Sequence, residues 1–422
     1  MSTLSQDSAD TSNTTNPSRY RWVIEVLLVL ALFCQTSALL VPAPLLDPIV
    51  KSLHIGLGQA GLIISIIALC IGVFSMLGAL IMERVGARGA MVAGVWILAT
   101  GEILSGYCTT YNTLIVCRII EGLGYGITIG PPGAFLMQWF AEKEWPYINM
   151  VNGVGAYIGI TVIFSVTVPI YLAVGSSWMV VLRYYGFGCA AIALLWTILG
   201  HERKTPRSEA AMNKEQRPSV IAEVIRMRDV VLLAIGLFGV MWVFQLYTTF
   251  LPQFFRDYRG LGLGEASALT AVLPTAGMFA ALLGGLGTGF TGLRKPFLWP
   301  LASCSLIGCF GAVTLHDPAK IRIALVLVGI GTAGWGAAFS TLLMELPGMT
   351  PEKTATALSF LWSIGYAGAF VSPFLCGAIA ETTGLRPVML VSLLLLIATV
   401  GAFYLLPETG PQRARIEIAA AS

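Results

Sequence analysis

Charge is what this chain has least of: 11% of its 422 residues are Asp, Glu, Lys or Arg, against about 25% in an ordinary soluble domain. So little charge excludes a water-soluble globule of this length. The formal net charge of +3 follows from a bias among the loops rather than from a basic patch, so a nucleic-acid partner is not expected. Histidine is nearly absent, and His54, His201 and His316 all fall in loops. No Ser, His or Cys set has catalytic spacing, which makes an enzyme the least expected class. The eight cysteines lie mostly inside or at the ends of apolar runs, without paired spacing. They read as small apolar residues, neither disulfides nor metal ligands, and no cofactor is expected. The first 20 residues are rich in Ser, Thr, Asp and Asn and lack both a basic start and a short apolar stretch. No cleavable signal peptide is visible, and 1–20 is expected to be a disordered cytoplasmic tail.

What is there is apolar: 56% hydrophobic residues and 46 glycines. Twelve segments reach the roughly 20 residues that a bilayer span needs, at about 22–46, 59–82, 89–108, 113–139, 148–173, 179–199, 230–254, 266–288, 296–315, 321–345, 355–380 and 387–406. They are continuously apolar rather than alternating, so helices are expected and a barrel is not. The longest polar insert, with Pro206 and Pro218, separates six segments from six. The expected domains are a bundle at 21–200, a cytoplasmic linker at 201–229, a second bundle at 230–407 and a cytoplasmic tail at 408–422. With the amino terminus inside, 17 basic residues lie on the cytoplasmic side and seven outside, which puts both termini in the cytoplasm.

The halves repeat at a fixed offset. Gly56-Leu57-Gly58-Gln59-Ala60 returns 206 residues later as Gly262-Leu263-Gly264-Glu265-Ala266, and the same offset carries Gly78 onto Gly284, Gly86 onto Gly292 and Arg88 onto Arg294. A duplicated six-helix unit explains this, with a solute site between the halves near the bilayer midplane.

The fourth segment carries the most informative chemistry. Arg118 lies about 9 Å inside its start at 1.5 Å per residue, a depth at which a guanidinium must be paired or used. Glu121 stands one turn on, followed by Gly122, Gly124 and Gly126, before Pro131-Pro132 interrupts the helix. This segment reads as one wall of a transport pathway.

Two stretches resemble signatures of the major facilitator superfamily. Between segments 2 and 3, Glu83, Arg84, Gly86 and Arg88 match the family's acidic-basic-Gly-basic loop, with Glu in place of the usual Asp and Ala79 where the first Gly would align. The residues themselves suit a charge latch between helix ends, with Gly86 making the turn; the plainer alternative is a basic turn that only sets topology. In the second half, Arg294 and Lys295 persist but Gly289 stands where the acid would be, so that latch is expected to be incomplete. Arg118, Glu121, Gly122, Gly124 and Gly126 are similar to the segment-4 signature, with Glu121 replacing the commoner Gln. The resemblance implies twelve transmembrane helices in two pseudo-symmetric six-helix bundles, and a coupling role for Arg118. Segment 5 lacks the Gly-Pro-rich motif of drug exporters; it has Gly153, Gly155 and Gly159 with a lone Pro169.

The resemblance makes segments 1, 4, 7 and 10 cavity walls. Gln35 and Gln245 lie near mid-depth, as solute contacts or as bonds between helices. Trp335 sits among Gly329, Gly331, Gly334 and Gly336, as a moving aromatic gate or as packing filler. Tyr125 and Tyr157 read as cavity aromatics or as structure. Glu102 shares the depth of Arg118, and a structural salt bridge is favoured over proton carriage. Glu25 and Glu345 lie near cytoplasmic ends, where water is expected. No ATP-binding loop is present, so pumping would draw on ion gradients. The expected function is secondary transport, by a plasma (inner) membrane monomer, of a small anionic solute, coupled to protons through Arg118, Glu121 and Glu102. Efflux of small amphipathic compounds, and a non-transporting scaffold or sensor, are the alternatives.

Overall fold

Inside a bilayer the backbone has no water to bond, so long apolar segments satisfy their amides within helices. The structure, a computed structural model, describes residues 19–141, 144–203, 223–349 and 351–410. Among these residues twelve helices are long and apolar enough to span a membrane: α1 Arg21–Leu53, α2 Leu57–Ser75, α3 Arg84–Ser105, α4 Tyr111–Trp139, α5 Tyr147–Ala173, α6 Trp178–Leu199, α7 Arg228–Arg259, α8 Leu263–Thr291, α9 Lys295–Thr314, α10 Pro318–Glu345, α11 Thr356–Thr383 and α12 Leu385–Leu405. No strand occurs among the described residues. Most of the expected tails and of the linker lies outside the described residues.

The duplication is visible in three dimensions. Gly56 and Gly262 open α2 and α8 with the same capping device, their amides donating to Gln59 Oε1 and Glu265 Oε2 at 3.2 Å each. The first helical piece of α4 ends at Ile127 and resumes at Pro131; that of α10 ends at Ala333, 206 residues on, and resumes at Gly336. Proline belongs at the first turn of the resumed α4 piece, where its missing N–H costs nothing. Each break receives a glycine of a neighbouring helix: a Cβ on Gly78 would lie 2.7 Å from Ile127 Cα, and one on Gly284 would lie 2.1 Å from Gly334 O.

The side of the bundle on which α1 begins and α12 ends is here the terminus side, and the opposite one the far side. Bonds tying one six-helix bundle to the other gather towards the far side. Asp47 of α1 pairs with Arg256 of α7, the Gly58 amide of α2 donates to Glu381 Oε1 of α11 at 3.0 Å, and Ser267 of α8 donates to the Phe164 carbonyl of α5. There α2 and α11 meet backbone to backbone, since a Cβ on Gly61 would lie 2.2 Å from Pro373 O. On the terminus half of α4, by contrast, Ile129, Gly130 and Gly133 are exposed. The far side is closed.

Candidate functional site: a sealed arginine–carboxylate core

Arg118 is held by every edge of its guanidinium. Nε donates to the Ile63 carbonyl of α2 at 2.9 Å, Nη2 to the Ala38 carbonyl of α1, and Nη1 to Glu121. Glu121 accepts a further hydrogen bond from Ser105 of α3. Arg118 is 1% exposed and Glu121 0%, so the pair is closed off from solution in this state. A glycine of α3 permits this: a Cβ on Gly101 would lie 2.7 Å from Glu121 Cγ. Pairing and hydrogen bonds offset the desolvation of both groups, whereas either partner alone would be a stranded charge.

Glu102, also 0% exposed, does not form the expected salt bridge. Its Oε2 accepts from Ser37 Oγ at 3.1 Å and from Cys189 Sγ at 3.2 Å, while Oε1 has no hydrogen-bond partner. Arg118 instead turns Nε, Nη1 and Nη2 to Glu121 and the two carbonyls. The core thus holds one guanidinium and two carboxyl groups among α1, α3, α4 and α6.

The other sequence-nominated residues are placed apart from it. Gln35 donates to Thr128 Oγ1 at 2.8 Å, pinning α1 to the break in α4. Gln245 is 3% exposed with Nε2 unpartnered. Tyr157 packs on α8, where a Cβ on Gly277 would lie 3.0 Å from its ring. Tyr125 packs against the cluster of α1, α3 and α6 side chains. Trp335 caps the resumed piece of α10 and stacks edge-on to Phe339 at 5.2 Å, with Phe403 of α12 behind it.

The loop latch has a different composition from that expected. Gly86 adopts φ 77°, ψ 171°, and the amides of Ala87 and Arg88 donate to the two oxygens of Glu202 at 3.1 and 3.3 Å. Arg88 Nη2 reaches the Thr197 carbonyl at 2.7 Å, so the 2–3 corner is tied to the end of α6. Arg84 is exposed, and the Glu83 side chain lies outside the described ones. In the second half the latch is complete, contrary to the sequence expectation. Arg294 makes two bonds to Glu345 at 2.9 and 3.1 Å, and Glu408 accepts the Arg294 and Lys295 amides at 2.9 Å each. The acid missing from the loop is supplied by the end of α10. Glu202 and Glu408 stand 206 residues apart, the signal that would have revealed both. Glu25 also departs from expectation: it is 4% exposed rather than solvated.

The architecture has close counterparts. A bacterial homolog of the human lysosomal transporter Spinster, in an inward-facing and occupied conformation, superposes with a TM-score of 0.77 at 14% identity, over 92% of this chain and 96% of that one. The nucleoside transporter NupG gives 0.72 at 14%, over 91% and 98%. Among sequence relatives, the hexuronate transporter of Bacillus subtilis (strain 168) is 22% identical, covering 83% of this chain and 85% of its own. The D-galactonate transporter of Escherichia coli O6:H1 is 21% identical, over 74% and 78%. A probable sulfoacetate transporter of Cupriavidus necator is 22% identical, over 87% and 89%. These relatives are carriers and not enzymes, and with twelve apolar helices the chain is a multi-pass integral membrane protein that moves a small-molecule solute. The family model of the Major Facilitator Superfamily matches residues 26–373, and the chain belongs to that superfamily.

Proposed function

We propose that the chain carries a small organic anion by alternating access, driven by protons, with both termini in the cytoplasm of a plasma membrane. The observation that carries this reading is Arg118, the one cation among the described residues that is buried more than a turn from either end of a span. The relatives agree with it, because hexuronate, galactonate and sulfoacetate carriers are all named for carboxylates or sulfonates.

The sealed state sets the mechanism. As long as Glu121 is ionised, it neutralises the guanidinium, and Nε, Nη1 and Nη2 are each turned to Glu121 or to a backbone carbonyl rather than to a solute. A proton on Glu121 removes the charge that holds Nη1, and an arriving carboxylate or sulfonate takes its place in a two-point bond. One proton and one monoanion enter together, so the net charge of the core is unchanged. Glu102, with its free Oε1, is the neighbouring acceptor through which that proton would pass.

Uptake of labelled glucuronate into proteoliposomes under an imposed proton gradient tests this. Arg118→Ala abolishes accumulation, whereas Glu121→Gln keeps solute exchange and loses its proton dependence. Glucuronate transport untouched by either substitution removes the mechanism.

A second reading draws on one feature. An apolar hollow of about 710 Å³ opens among α8, α9 and α10, with Ser165 of α5 at its edge, lined by Phe279, Leu283, Phe297 and Ile330 among others. It favours an amphipathic cargo, and a response to lipophilic cations in place of organic acids would select it.

A further inference from the structure

Glu25 is 4% exposed on the first turns of α1, and neither carboxyl oxygen has a hydrogen-bond partner. Its position is set by the seam with α5. One turn farther along, Val29 meets α5 at Gly155, where a Cβ would lie 3.2 Å from Val29 Cγ1, and farther still Thr36 meets Gly159 at 3.4 Å. Residues one turn back on the same two faces are Glu25 and Asn152, because side chains four or three apart share a helix face. Asn152 Oδ1 is likewise buried without a partner. Three acceptor oxygens, two on Glu25 and one on Asn152, therefore sit at facing seam positions without a hydrogen-bond partner.

Among the described residues, the neighbouring charges are engaged elsewhere. Arg21, one turn back on α1, is bound by both oxygens of Glu144 before α5, at 2.9 and 3.0 Å. Towards the end of α6, Tyr20 Oη and His201 Nδ1 lie 3.1 Å apart, Arg88 of the 2–3 corner is on the Thr197 carbonyl, and Glu202 is taken by the corner amides. The terminus half of α4 brings Gln138, which accepts the Arg203 amide. Deeper in, α4 offers only Arg118 and Glu121, which hold each other, and α3 only Glu102. A lone carboxylate at such a place costs several kcal/mol. A proton on Glu25 neutralises the carboxylate and turns one of its oxygens into a donor for Asn152 Oδ1. Water is near, since the seam lies one turn from the Arg21–Glu144 pair at the end of the span.

We propose that Glu25, with Asn152, is a proton-exchange site on the terminus side of α1, the group through which a coupling proton leaves for the cytoplasm. This rests on the proton-driven reading above and deepens it. It separates the roles that the sequence merged: Arg118 binds solute at the core once Glu121 is protonated, and Glu25 exchanges the proton with the inner solution. A sodium ion is the less suitable occupant, because a hard cation takes about six oxygen ligands and the seam offers three.

Infrared titration of the purified full chain in nanodiscs decides the matter without a solute. The wild type shows a carboxylic C=O band that is lost as pH rises. Glu25→Gln removes that band, Glu25→Asp restores it with a shifted midpoint, and Asn152→Leu moves the midpoint. A band unchanged in Glu25→Gln overturns the proposal, as does a band abolished by sodium at constant pH. In proteoliposomes Glu25→Gln loses proton-driven glucuronate accumulation at least tenfold while keeping exchange. If the wild type takes up no glucuronate, the cargo reading fails while the infrared result on Glu25 still stands or falls by itself.

Discussion

At the residue scale the account turns on which buried groups are paired. Arg118 and Glu121 answer each other, so removing one leaves the other charged in an apolar core, at a cost of about 3 to 5 kcal/mol. Glu121→Ala is expected to lower the thermal unfolding midpoint sharply, and Glu121→Gln less, because the amide still accepts from Arg118. Equal midpoints for the two variants would show that the pair carries no strain of charge. Sequence spacing was enough to find this pair, since an i,i+3 relation on one helix is local. The remaining partners of Arg118 are the carbonyls of Ala38 and Ile63, which no side-chain pattern announces. Glu102 was misassigned for the same reason: equal depth along two helices does not tell which way a carboxylate points, and Ser37 with Cys189 claimed it.

Between elements, the corners and breaks do the positioning. Gly86 holds a left-handed φ of 77°, and a Cβ there would lie 2.4 Å from Glu202 Oε2. Gly86→Ala therefore meets both backbone strain, about 1 to 3 kcal/mol, and a carboxylate that is already capping two amides. It is expected to destabilise the fold more than Glu202→Gln, which only weakens the cap, and thermal unfolding of the two variants checks the order. The helices themselves were legible almost completely, because a long apolar run admits one backbone solution in lipid. Helix breaks were half legible: Pro131 marked the one in α4, but α10 breaks at the equivalent place with no proline there, guided by Gly334 against Gly284. The second-half latch was missed because its acid, Glu345, arrives from another helix rather than from the loop.

For the whole molecule, the far-side bonds decide which face is open. Asp47 receives both Arg256 and Lys51, the latter at 3.1 Å, and it joins the two bundles. A partly exposed pair of this kind contributes about 0.2 to 1 kcal/mol, enough to move a two-state equilibrium by a factor of up to roughly five. Asp47→Asn is expected to raise the labelling rate of a cysteine placed at the buried Ala60 of α2, beside the far-side contact with α11, by a similar factor. An unchanged rate would mean that the backbone contact of α2 with α11 alone holds the face shut. The central claim concerns cargo, and ligand-dependent melting of the purified chain reads it directly, since a ligand at 100 times its dissociation constant adds about 2.7 kcal/mol to the folded state. Against a panel of glucuronate, galactonate, sulfoacetate and lipophilic quaternary ammonium ions, the account predicts a rise with one or more of the acids, strongest at low pH and absent in Arg118→Ala. A rise confined to the cations would contradict it.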